Sequence, residues 1–147
     1  MGVQTDVVIA NQSDAQDIAN SDSPATAWDG FTFNGFHNVQ LCTLLSLLKA
    51  CSPSTEFDHY LNVVEYITPR DQESPVVSAV RPKEVAELAV VASLGEGEFE
   101  SLAQSWGATE EFDGWTSEDV RELLRELGDL AESASLERKC LFLWQSL

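Results

Sequence analysis

The two histidines of the chain, His37 and His59, bracket Cys42 and Cys51, and these four side chains are ligand types that zinc accepts. Their steps of five, nine and eight residues contain neither a Cys-x-x-Cys nor a His-x-x-x-His chelate, the short spacing that orients two ligands in advance. Cys42 also falls within a leucine-rich helical segment, where a thiol packs as a small hydrophobe. Pairing Cys51 with His59 or His37 would give a nucleophile and its base, yet Cys51 follows a predicted helix C-terminus, whose dipole disfavours the thiolate. The reading is therefore free structural cysteines, no metal and no cofactor.

Carboxylates are the more plentiful chemistry: 25 Asp and Glu stand against eight Lys and Arg, for a formal net charge of −17. Acid–base pairs arise by chance in so acidic a chain, so abundance alone assigns no catalytic residue. Gly95-Glu96-Gly97-Glu98 puts two carboxylates where a glycine-rich loop would hold phosphate. Neither a Gly-x-Ser-x-Gly elbow nor a His-Glu-x-x-His helix is present.

The distribution of charge is more informative than its amount. Residues 84–120 hold ten acids and no base, and residues 1–48 hold no base either. Within the first stretch, Glu96, Glu98, Glu100, Glu110, Glu111 and Asp113 lie near Trp106 and Trp115. That pattern predicts an acidic face with aromatic surface, suited to a cation or a basic peptide. Part of the acidity has a plainer cause, since Glu84, Glu118 and Asp119 stand at predicted helix starts, where carboxylates complement the dipole.

A polyanion repels nucleic-acid phosphates and anionic lipid, because such binding rests on Lys and Arg. It attracts cationic proteins and speeds their encounter in a salt-dependent way. The leading expectation is a non-enzymatic module that binds a basic partner protein, in the manner of immunity proteins or nucleic-acid mimics. Two other classes compete with it. Residues 28–37, with Trp28, Phe31, Phe33 and Phe36, read as an aromatic loop that would serve, with His37 or His59, as the lid of a small enzyme or ligand site. Phe142 and Trp144 on one side of a terminal strand, and Leu141 and Leu143 on the other, need two covers, and a homodimer would supply one.

The elements that must carry these residues follow from periodicity and turn chemistry. The 147 residues suit one domain, 1–147, large enough to build its own core. Residues 3–10 read as a strand, Ser13 with Gln16 as the start of a short helix, and residues 20–38 as a loop pinned by its aromatics. Asn38 reads as the cap of an apolar helix over 39–50, and residues 57–67 mix helical spacing with β-branched composition, helix being favoured. Residues 75–80 read as extended, ahead of helices over 82–94 and 98–106. Thr116 and Asp119 cap a long helix, in which Gly128 costs about 1 kcal/mol relative to Ala. Residues 139–146 form a continuous apolar run that predicts a buried strand paired with the N-terminal one. The expected architecture is α+β, predominantly helical, with a small sheet that includes both terminal strands. An odd number of cysteines, a first dozen residues without Lys or Arg, and the lack of a long apolar run predict a soluble, cytoplasmic protein.

The order of these elements resembles the bacterial YfbM-like family of uncharacterised proteins. The likeness rests on the Met1-Gly2 start running into a strand, the leucine helix after Val39, and the Pro82-x-Glu84-Val85-x-Glu87-Leu88-Ala89 helix with a short acidic helix after it. The long helix leading to the apolar strand at Leu141 to Trp144 completes it. The resemblance implies an α+β domain and a bacterial source, and carries over no functional residues.

Overall fold

The apolar runs at the two ends of the chain become neighbours in the middle of one sheet. Strand β1 (Gln4–Ala10) pairs antiparallel with β5 (Cys140–Ser146), from Gln4 opposite Ser146 to Ala10 opposite Cys140. The computed structural model describes residues 4–21, 23–36, 38–48, 65–67, 76–80 and 82–146. Among these the sheet is five-stranded and antiparallel, in the order β2-β1-β5-β4-β3, with β2 at Gly30–Asn34, β3 at Glu65–Ile67 and β4 at Val76–Val80. Central strands covered on both faces need apolar residues at successive positions, which is why β1 and β5 read as runs instead of alternations.

On one face, Val7, Ile9, Val80, Leu141 and Leu143 pack under four helices: α3 (Asn38–Leu48), α4 (Pro82–Ala89), α5 (Glu96–Gly107) and α6 (Ser117–Glu137). Their contribution is the leucine stripes, Leu41, Leu44 and Leu45 from α3 and Leu123, Leu124 and Leu127 from α6. On the other face, Val8, Val77, Ala79, Phe142 and Trp144 are covered by α1 (Ala15–Ala19), α2 (Pro24–Ala27) and Trp28. Both covers that β5 requires are thus supplied by the chain itself, which removes the sequence argument for a homodimer through that strand. The α+β class and the pairing of the terminal strands are as the sequence predicts.

Three local expectations are corrected. Residues 20–38 are not one loop, because they hold α2 and then β2, whose Phe31 and Phe33 face the helices while Thr32 between them is exposed. This alternation is strand periodicity, and β2 is tied into the sheet by its register with β1 instead of standing free as a lid. Glu65–Ile67 is a strand where a helix is expected; the rest of 57–67 lies outside the described residues. The short N-terminal helix begins through Asn11, whose backbone N–H donates to the Asp14 carboxylate at 3.2 Å, and not through Ser13 and Gln16.

Two buried details hold the layers in place. Asp6, 1% exposed on β1, accepts from the Ala25 backbone N–H at 3.1 Å and from Thr32 Oγ1 at 2.9 Å, so it fastens α2 and β2 to the centre of the sheet. Gly128 lies where α6 crosses the 3₁₀ turn Val90–Ser93, and a Cβ there would come within 2.9 Å of Val91 Cγ1. The glycine that weakens the helix by propensity is what lets the turn approach it.

Candidate functional site

Packing of α5 against α6 changes the charge map drawn from the sequence. Arg121 of α6 reaches back to Glu100 of α5, Nη1 to Oε1 at 3.1 Å, and Arg125 lies 4.9 Å from the centroid of the Phe99 ring. Arg125 also shares a surface hollow with Glu96 and Asp129. The base-free stretch therefore acquires cations from the helix that follows it. Of the predicted binding residues, Glu100 is compensated, Glu96 lines the same hollow as Arg125 and Asp129, and Glu98 remains exposed on the first turn of α5. Glu84, at 4% exposure, belongs to no surface at all.

Trp106 is corrected outright. It is fully buried, its Nε1–H donates to the Gln40 carbonyl at 2.8 Å, and its ring meets Phe112 edge-on with centroids 4.7 Å apart. Its role is to close the core between α3 and α5. Trp115 is the residue that reaches the surface: half-buried, it stacks on Phe33 of β2 at 6.1 Å with the rings 6° from parallel, and meets Phe112 edge-on at 5.0 Å. Phe36, Trp106, Phe112, Trp115, Phe33 and Phe31 form a continuous series of ring contacts from core to sheet edge.

The segment between α5 and α6 is built to aim Trp115. A 3₁₀ turn, Glu110–Phe112, buries Phe112 and is held to α3 by Gln40 Nε2 donating to the Glu111 carbonyl at 2.9 Å. Gly114 then adopts φ 89°, a left-handed conformation that side-chain-bearing residues rarely take, while the Trp115 N–H donates back to the Phe112 carbonyl at 2.9 Å. Thr116 caps α6 by accepting from the Asp119 N–H at 3.1 Å, as its sequence spacing predicts.

Between this connection and β2 opens a cleft of about 440 Å³ lined by Thr32, Phe33, Asn34, Gly114, Trp115 and Asp119. Glu110, Glu111, Asp113, Glu118 and Asp119 are all exposed on the same connection and the first turn of α6, and among the described residues no cation pairs with any of them. A second hollow, about 250 Å³, lies on the other side of Trp115, but it contains the already paired Glu100 and Arg121. The two hollows thus differ in charge, and the one against β2 has the uncompensated carboxylate.

Phe33, Thr32, Asn34, Gly114 and Asp119 are the lining residues that the sequence reading does not assign to this acidic site; the Phe-x-Phe alternation and the cap spacing are the signals that point to the phenylalanine and the aspartate. His37, Cys51 and His59 lie outside the described residues, as does the Cys42 side chain, and Cys140 is buried at the start of β5. Among the described residues no group of three His, Cys, Asp or Glu is placed to hold a metal ion, and no helix is long and apolar enough to cross a membrane. Comparison with protein-family models, curated proteins and solved structures gives no match to this chain.

Proposed function

We propose that this chain is a non-enzymatic binding protein whose cleft between β2 and the α5–α6 connection takes a basic segment of a partner protein, in the manner of immunity proteins or nucleic-acid mimics. One observation carries the reading: the Phe33–Trp115 stack lines the cleft together with Asp119, which among the described residues pairs with no cation, while four further exposed acids lie on the same connection and the first turn of α6. A guanidinium satisfies both halves of such a site, lying over an aromatic face worth about 0.5–2 kcal/mol and pairing with the carboxylate at its rim. The cytoplasmic setting suggested by the cysteines, and the bacterial source implied by the YfbM-like resemblance, belong to the same proposal.

Titration of an arginine-rich peptide by calorimetry, at low and at high salt, tests it. Affinity is expected to fall steeply as salt rises, and the double substitution Asp113→Asn with Asp119→Asn to weaken low-salt binding about three- to tenfold. Affinity indifferent both to salt and to these substitutions would overturn the reading.

A further inference from the structure

We infer that the basic segment binds as an added β-strand on the outer edge of β2, a deepening that rests on the proposed cleft function. The argument starts from hydrogen-bond phase. The Ile9 N–H donates to the Asp29 carbonyl at 2.9 Å, one step beyond the Val8–Gly30 pair of the β1–β2 register. In an antiparallel ladder, bonded and non-bonded pairs alternate, so Asp29, Phe31 and Phe33 turn their backbone groups toward β1, and Gly30, Thr32 and Asn34 turn theirs away.

Among the described residues those outward groups have no backbone partner. β2 is the last strand of the sheet, Gly30, Thr32 and Asn34 are exposed, and among the described residues no backbone bond reaches their outer side. Edge strands are usually protected by Lys, Pro or a covering segment, whereas β2 reads Gly-Phe-Thr-Phe-Asn, with none of these residues and no charge. The acidic cleft runs along this same edge, since Thr32 and Asn34 line it together with Trp115 and Asp119. Strands pair about 4.8 Å apart and send alternate side chains to one face, so every second residue of an added segment would point to the helix side of the sheet, toward Trp115 and Asp119. Backbone pairing would give affinity and the cleft would select a cation, as in strand-addition recognition generally.

Charge decides the occupant. A second copy pairing through β2 would bring two chains of net charge −17 together with their acidic connections side by side. An extended segment with Arg or Lys at alternate positions meets the same edge with the opposite sign.

The probe is a peptide alternating Arg with Thr, compared with two versions N-methylated on alternate backbone amides, one for each phase. One methylated phase should lose about tenfold or more in affinity and the other little, because methylation removes only the donors that face β2. Amide exchange at Thr32 and Asn34 should slow on binding, and Asn34→Pro, which blocks an outward N–H without touching a bond to β1, should weaken binding similarly. Equal, salt-sensitive binding in both phases overturns strand addition and leaves the cleft reading standing. Failure of the unmethylated peptide to bind overturns both. A dimer in sedimentation that Asn34→Pro dissolves would show that the edge belongs to a second copy, and overturns the proposal too.

Discussion

Asp6 shows how one side chain fixes the geometry on which the cleft depends. Its carboxylate, 1% exposed, receives the Ala25 N–H and the Thr32 hydroxyl, so it locates β2 relative to β1 from the face that α1 and α2 cover. Asp6→Ala removes the buried acceptor of two hydrogen bonds whose donors are partly exposed, and should lower stability by about 1–2 kcal/mol in denaturant unfolding. Asp113→Asn on the exposed connection should stay within about 0.5 kcal/mol of the parent. An Asp6→Ala variant as stable as the parent would show that α2 and β2 are held by other means. At this scale the sequence was only partly legible. An aspartate in a β-branched strand gives no sign of its donors, which come from residues 19 and 26 positions away. Trp106 and Trp115 look equivalent until packing buries the first and leaves the second at the surface.

Elements were legible where their burial is regular. α6, with its threonine cap and leucine stripe, and the two central strands, with their continuous apolar runs, follow from the chain alone because helix periodicity and two-sided burial leave direct patterns. β2 was harder to read because its two buried phenylalanines sit among Gly, Asn and Thr, residues that also signal a loop. The junction of α6 with the Val90–Ser93 turn shows tertiary contact overriding propensity. Alanine at Gly128 would favour the helix by about 1 kcal/mol, yet its Cβ would lie 2.9 Å from Val91 Cγ1 and 3.2 Å from the Ala92 backbone nitrogen. Gly128→Ala should therefore be net destabilising, by about 1–2 kcal/mol in thermal or denaturant unfolding. A stabilised variant would mean that the turn moves aside at little cost.

For the whole molecule, charge segregated along the chain is not charge segregated in space. The ten acids and absent bases of residues 84–120 suggest one broad acidic face, but α6 folds back and places Arg121 and Arg125 against α5. Apart from Glu98, what remains uncompensated among the described residues of that stretch is narrower: the segment from Glu110 to Asp119, which the fold sets beside a sheet edge and a half-buried indole. The central claim is that this junction, and not the acidity at large, recognises a basic segment. Its most direct test is a titration of the isotope-labelled protein with the arginine-rich peptide, followed by amide and indole N–H shifts. The account predicts saturable shifts concentrated at the Trp115 indole and at the amides of Thr32, Asn34 and Asp119. Shifts spread evenly over exposed carboxylate-bearing segments such as α5 and the outer face of α6, with the Trp115 indole unmoved, would contradict it.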